Sequence, residues 1–229
     1  MQCGLYGKLP AKRDFIALST PREFLSLWET WIQGAVSDST LRLGSEWRAA
    51  FLRAPIWRFW LGSDLCGETV IGAFMPSLDG IGRYFPLTLF TRAGEDEAIP
   101  PPELEPQIEW FAAVERFLLS TLDEGAAFEA ISATLATLRQ PIGRNPAVDR
   151  IGATFLSEGT VMMSADTISF SEVFTSARLA DHAAAYASST YWWTAGGEDY
   201  APIALAKRRM PEPHVFAGML TGDFGYLIT

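Results

Sequence analysis

Apolar residues recur at helical spacing in the first part of the chain. They form one wide stripe, which predicts an aromatic helix face packed against the core. The positions of this stripe are Phe24, Leu27, Trp28, Trp31 and Ala35. Residues 20–23, Thr-Pro-Arg-Glu, come just before it and predict a threonine N-cap followed by proline in the first turn. A second helical pattern follows over residues 39–53.

Three apolar runs then predict strands over residues 56–61, 68–75 and 84–92. The connections between them are about six to eight residues long, too short for a helical crossover, so neighbouring strands should pair antiparallel. The runs are almost continuously apolar and do not alternate. This pattern is typical of strands covered on both faces.

The later patterns alternate between helix and strand. They predict helices over 105–122 and 126–139, strands near 153–156 and 161–164, a helix near 171–187, strands near 190–194 and 201–206, and a last helix near 211–220. The loop 93–106, with an acidic stretch at Glu95, Asp96 and Glu97 and three prolines, is a possible internal boundary. The second part has too few strong strands for a core of its own. We therefore predict one domain over residues 1–229 in the α/β class, a three-layer α/β/α sandwich with a mixed sheet containing an antiparallel meander.

The charge balance excludes some functions. A formal net charge of −9 and a pI near 4.8 argue against sequence-independent binding to nucleic acid or to anionic membranes. No apolar run approaches membrane-spanning length, and the N-terminus lacks a signal pattern, so we expect no membrane insertion and a cytoplasmic location. Cys3 and Cys66 form no metal or disulfide framework and are expected to be free thiols.

Catalytic equipment is scarce. The two histidines, His182 and His214, have no metal-ligand partner at usable spacing, and the chain contains no nucleophile elbow, phosphate loop or dinucleotide fingerprint. We expect no catalytic residue, no bound metal and no cofactor, and we predict that the protein is not an enzyme.

Charged residues are concentrated in two segments where strand ends should converge. Lys8, Arg13 and Asp14 lie in an opening loop before the first helix. Asp79 and Arg83, together with Ser77, lie in the turn between the second and third predicted strands. Two interpretations are open: a buried salt-bridge network that fixes the loop on the sheet, or a recognition site for an anion or a backbone segment. For recognition we favour Arg13 and Lys8, and we expect Arg83 to be the more structural residue.

Two further residues complete the candidate set. Arg58 stands inside an apolar strand and should be paired, with Asp14 or Asp79 as the expected partner. Trp192 lies in a strand beside Trp193, and because neighbouring strand residues face opposite ways, one of the two should enter the core. An exposed tryptophan there could anchor a partner, and core burial is the alternative.

Several of these segments together resemble a known family. The strings are GKLPAKRDF at 7–15, APIWRF at 54–59, MPSLDGIGRYFPLT at 75–88, YWWT at 191–194 and FAGMLTG at 216–222. They resemble the TagF (ImpM) family, accessory proteins of bacterial type VI secretion systems.

The resemblance implies a cytoplasmic, post-translational negative regulator of type VI secretion. In the family this regulator acts through protein binding with the forkhead-associated scaffold protein, in parallel with the threonine kinase–phosphatase switch on that scaffold. The alternative is a small-ligand, nucleotide or phosphate sensor, or an enzyme, with a charged cleft around Lys8, Arg13, Asp14, Asp79 and Arg83. The sequence leaves the oligomeric state open.

Overall fold

A seven-stranded sheet organises the computed structural model, which describes residues 2–94, 97–123, 125–145, 153–156, 160–163 and 170–228. Its strands are β1 (Gly4–Gly7), β2 (Ile16–Leu18), β3 (Trp57–Leu61), β4 (Val70–Met75), β5 (Leu87–Arg92), β8 (Ser189–Thr194) and β9 (Ile203–Arg208). They follow the order β2-β1-β5-β4-β3-β8-β9. A separate two-stranded sheet joins β6 (Ala153–Phe155) to β7 (Val161–Met163).

The described helices alternate with these strands along the chain. They are α1 (Arg22–Leu43), α2 (Trp47–Arg53), α3 (Ile108–Ser120), α4 (Phe128–Thr137), α5 (Phe170–Ala180), α6 (His182–Ala185) and α7 (Val215–Thr221). Among them, none is long and apolar enough to cross a lipid bilayer.

All six pairings in the large sheet are antiparallel, whereas the sequence predicted a mixed sheet. The β3–β4–β5 meander is confirmed. The direction of two long-range pairings, β1 with β5 and β3 with β8, could not be predicted, because no local sequence pattern specifies it. The short strands β1 and β2 were missed because four and three residues carry too little periodicity to detect.

Both faces of the sheet are covered by helices, as the apolar runs predicted. On one face, Ile71 and Leu89 pack in a cluster with α3 and α4. On the other, Phe74 and Phe90 pack with α1, α2 and α7. All six residues of β4 are buried, because alternate side chains enter alternate clusters. The mixed α/β fold class is confirmed.

The aromatic stripe of α1 forms the centre of one cluster. Trp28 stacks on Phe59 with ring centroids 4.4 Å apart, and Trp31 lies 4.7 Å from Trp192. The predicted N-cap was wrong, because Pro21 occupies that position and the Thr20 hydroxyl donates to the carbonyl of Leu18. The helix also continues to Leu43, and Gly44 ends it with a φ of 51°.

The later elements appear where they were predicted, with shifted ends. The predicted 171–187 helix is divided at Asp181, and residue 164 of a predicted strand, like Glu95 and Asp96 of the acidic loop, lies outside the described residues. Within the candidate boundary segment, Ile99 is fully buried in the cluster of α3, and its carbonyl accepts a hydrogen bond from Trp60. The single-domain organisation stays a prediction.

Candidate functional site

The opening loop (residues 8–15) and the β4–β5 turn (residues 76–86) start side by side at one end of the sheet. Leu87 pairs with Gly7 on one side and with Met75 on the other, so both connections leave from the same place. Gly7 has a φ of 132°, and a Cβ there would lie 2.1 Å from the carbonyl oxygen of Pro86. Glycine at this position therefore allows the two backbones to approach.

Asp79 is the centre of the contacts between the loop and the turn. Its Oδ2 accepts hydrogen bonds from Lys8 Nζ at 2.9 Å and from Arg83 Nε at 2.6 Å. Its Oδ1 accepts from the backbone amides of Ile81 at 3.1 Å and Arg83 at 2.9 Å. The turn folds back onto its own aspartate, as Asp-Gly turns do, and Gly82 permits this with a φ of 84°.

The four donors also set the ionisation of Asp79, whose side chain is 0% exposed. Burial by itself would raise the pKa of the carboxyl group, but the hydrogen bonds from the Arg83 amide, Lys8, the Arg83 side chain and the Ile81 amide outweigh it. The pKa of Asp79 is held well below its usual value. The residue is thus an anion fixed in place, with its hydrogen-bonding capacity largely used.

Further contacts tie the backbone of the opening loop to the turn. The amide of Gly80 donates to the carbonyl of Lys12 at 2.7 Å, and the guanidinium of Arg83 donates to the carbonyl of Arg13. Arg83 also lies 3.9 Å from Asp14, whose side chain is 97% exposed, so this last pair contributes little. The first part of the loop is therefore held by the buried side chain of Lys8 and its later part through backbone contacts, which leaves Arg13, Asp14 and Phe15 exposed.

The structure separates the predicted site residues into two groups. Lys8 and Asp79 are buried, as is Ser77, whose Oγ has no hydrogen-bond partner among the described residues. Arg13 and Asp14 are exposed, and the Arg83 side chain is 54% exposed. Contrary to the expectation that Lys8 would be accessible, it is 6% exposed and paired with Asp79, and its role in recognition stays a prediction. Arg83 stabilises the turn by donating its Nε–H to Asp79, and much of its side chain is still exposed to solvent.

Arg58 pairs with a residue that the sequence did not indicate. Its Nε donates to Glu115 Oε1 at 2.6 Å, and its guanidinium lies 5.0 Å from the Phe111 ring centroid. The expected partners Asp14 and Asp79 lie with the opening loop and the turn. The expectation of a pair was right and its partner was wrong, because α3, which packs mainly on β4, brings Glu115 beside Arg58.

Trp192 is not a surface anchor. It is 0% exposed and packs between α1 and the sheet, beside Trp28 and Phe59. Trp193 faces the other way and packs on Phe111 of α3 with centroids 5.1 Å apart. Helices cover both faces of the sheet here, so Trp192 is buried and Trp193 is only partly exposed.

The exposed part of the site includes two apolar residues that sequence reasoning did not select. Phe15 is 49% exposed beside Phe85, and Ile81 is 58% exposed at the tip of the turn. The signal for both was present, since each is a large apolar residue within a polar loop segment. With Arg13, they give the site an exposed surface that is cationic and apolar together.

Burial also affects a cysteine and a histidine outside the loop–turn site. Burial raises the pKa of the Cys66 thiol to about 11, and His182 is buried with Nδ1 2.7 Å from the carbonyl oxygen of Leu179. Both cysteines are free thiols, as predicted. Across the described residues, no group of three or more His, Cys, Asp or Glu side chains is placed to hold a metal ion.

Two comparisons relate this fold and site to known proteins. Residues 4–138 match the model of the TagF N-terminal domain, type VI secretion system-associated, a span that contains the opening loop and the turn. The crystal structure of PA0076 from Pseudomonas aeruginosa PAO1 superposes with a TM-score of 0.80 at 30% sequence identity, covering 97% of this chain and 95% of that chain. Among curated protein sequences, none matches this chain.

Proposed function

The chain belongs to the TagF family of proteins associated with type VI secretion systems, and from this premise we propose that it is a negative regulator of such a system. It acts in the cytoplasm after translation, by binding a component of the apparatus and without catalysis. The partner we propose is the forkhead-associated scaffold protein. The observation that carries the proposal is the match over residues 4–138, which includes every charged residue of the loop–turn site.

The geometry of the site supports binding. The buried Asp79 fixes the opening loop through Lys8, while Arg13, Phe15 and Ile81 remain exposed to solvent. A surface ordered before binding loses less conformational entropy when a partner arrives. A cationic and apolar patch on an acidic chain also suits an acidic partner surface.

The same geometry supports action without catalysis. Asp79 is the one buried carboxylate in the loop–turn site, and its oxygens already accept four hydrogen bonds, so it is poorly placed to accept a proton from a substrate. Lys8 is bound to Asp79 and is not free to act as a nucleophile. Because Lys8 and the Nε of Arg83 are bound to Asp79, a small-ligand sensor at this cluster would have to bind its ligand through Arg13 and the exposed part of Arg83.

A secretion assay tests the regulatory function. Deleting the gene should raise export of type VI effectors, and overproduction should silence it, with transcript and apparatus protein levels unchanged. Purified protein should also capture the purified forkhead-associated scaffold protein. Export in the deletion strain equal to that of the wild type under every inducing condition would show that the protein is not a repressor.

A further inference from the structure

A groove of about 290 Å³ follows the outer side of β2. Residues 12–18 line it, together with Phe128 at the start of α4. The three consecutive residues of β2, Ile16–Leu18, all contribute. Because consecutive strand residues point to opposite faces, a groove that touches all three follows the edge of the sheet and not one of its faces.

β2 is the terminal strand of the large sheet. Its one strand neighbour among the described residues is β1, so alternate backbone N–H and C=O groups on its other side can pair with a further strand. The Leu18 carbonyl already accepts one hydrogen bond, from the Thr20 hydroxyl, and retains a second lone pair. Ala17, in the middle of β2, is exposed and carries a small side chain that leaves room for an incoming backbone. The edge is therefore chemically suited to strand addition.

The lining of the groove carries more basic than acidic residues. Lys12 and Arg13 both line it, and neither is paired with a carboxylate in the described part of the chain. Lys12 Nζ lies 4.0 Å from the centroid of the Phe128 ring, which places a cation and an aromatic surface together. Asp14 is the one acidic residue of the lining, so positive charge is in excess here on a chain of net charge −9.

We propose that this groove accepts an extended acidic segment of a partner protein, which adds to β2 as an eighth strand of the sheet. Backbone hydrogen bonds to β2 would hold the segment, its acidic side chains would meet Lys12 and Arg13, and its apolar side chains would pack on Phe128. The inference rests on the proposed function, since it names the surface and the chemistry through which the regulator binds. A second copy that paired through its own β2 would bring Lys12 and Arg13 of the two chains together, so charge favours a partner segment over that dimer.

Peptide binding to the purified full chain tests the proposal. The probe is a short acetylated peptide of alternating glutamate and valine, and its control is the same peptide with alternate backbone amides N-methylated. We expect saturable binding of the first, with amide chemical-shift changes confined mainly to residues 12–18, and a loss of at least roughly tenfold in affinity for the second, because methylation removes strand donors. A lysine–valine peptide should not bind.

Charge-reversed variants complete the test. Arg13→Glu should weaken binding of the glutamate–valine peptide by roughly tenfold or more, while Arg208→Glu, which makes the same charge change on the exposed β9 at the opposite edge, should leave it unchanged. The melting temperature of each variant shows whether it is folded.

Three results would overturn the proposal. They are no binding at peptide concentrations on the order of 1 mM, equal binding of the N-methylated peptide, and dimerisation of the chain through β2 in place of peptide binding. The secretion assay is independent of all three. A repressor that fails the peptide test would keep its function and bind through another surface, whereas peptide binding by a chain that does not repress would separate the groove from type VI control.

Discussion

At the scale of single residues, Asp79 determines the shape of the opening loop. One buried carboxylate collects donors from the loop and from the turn, and its ion pair with Lys8 joins residues far apart in sequence. Removing one member of a buried pair leaves the other charge uncompensated, which costs far more than the loss of a surface pair. The two basic residues of the loop should therefore respond differently to substitution.

Lys8→Met should lower the free energy of unfolding by about 3 kcal/mol, because Asp79 loses one of its two cationic donors inside the protein. Arg13→Met removes the same charge five residues later, at an exposed position, and should change stability by less than about 0.5 kcal/mol. Urea unfolding measures both. Equal losses for the two variants would show that the loop is held in some other way.

The depressed pKa of Asp79 gives stability a pH dependence. Its contribution is complete above the unfolded-state pKa, near 3.9, and is lost as the pH falls toward the lower pKa of the folded state. Wild-type stability should thus decrease below about pH 5. Asp79→Asn lacks this contribution, so its urea midpoint should lie well below that of the wild type at pH 7 and closer to it at pH 3.

Asp14→Asn is the matched control for this pH series. Its carboxylate is 97% exposed and lies 3.9 Å from Arg83, so its midpoint should stay near that of the wild type at both pH values. A gap between wild type and Asp79→Asn that widens on acidification would contradict the assignment of Asp79 as a buried anion.

At the scale of elements, the pair between Arg58 and Glu115 joins β3 to α3 across one face of the sheet. The side chains are 19% and 26% exposed, so the pair is partly solvated. Loss of Arg58 should therefore cost about 1–2 kcal/mol, less than the removal of a member from a fully buried pair. Apolar side chains such as Phe111 and Val114 hold α3 on the sheet, and the ion pair adds one polar contact to β3.

A double-mutant cycle distinguishes the observed partner of Arg58 from the ones predicted. Arg58→Met and Glu115→Gln should show a coupling energy of about 1 kcal/mol in urea unfolding, since each removes the same ion pair. Arg58→Met combined with Asp79→Asn should be additive within about 0.5 kcal/mol. Strong coupling in the second cycle would restore the partner predicted from the sequence.

At the scale of the whole molecule, the matched family span does not contain the complete sheet. β8 lies beyond residue 138, yet it pairs with β3. Its Trp192 packs on Trp28 of α1. β9 pairs with β8, and α7 packs in the same apolar cluster as α1. The N-terminal span therefore depends on later residues to close its core.

A fragment of residues 1–138 should for this reason fail to fold on its own. Removing β8 and α7 exposes Trp28, Trp31 and Phe59, which are buried in the full chain. We expect weak near-UV circular dichroism and no cooperative urea transition, with the full chain as the reference. A cooperative transition from the fragment would show that residues 1–138 fold as a unit of their own and would contradict the predicted single domain.

The sequence by itself determined the features that depend on neighbouring residues. It specified the β3–β4–β5 meander through short connections, the core face of α1 through helical spacing, and the position of Asp79 and Arg83 in the turn between β4 and β5. It also identified the loop–turn residues as one cluster, because both segments flank predicted strand ends.

Only the tertiary structure decided which distant elements meet. Three contacts join residues separated by long stretches of chain. They are the pairing of β1 with β5, the pairing of β8 with β3, and the ion pair between Arg58 and Glu115. The same packing buried Lys8 and left Arg13 exposed, although they lie five residues apart in one basic segment. Local patterns record the preferences of short stretches, whereas these pairings minimise the free energy of a core that exists only when the whole chain has assembled.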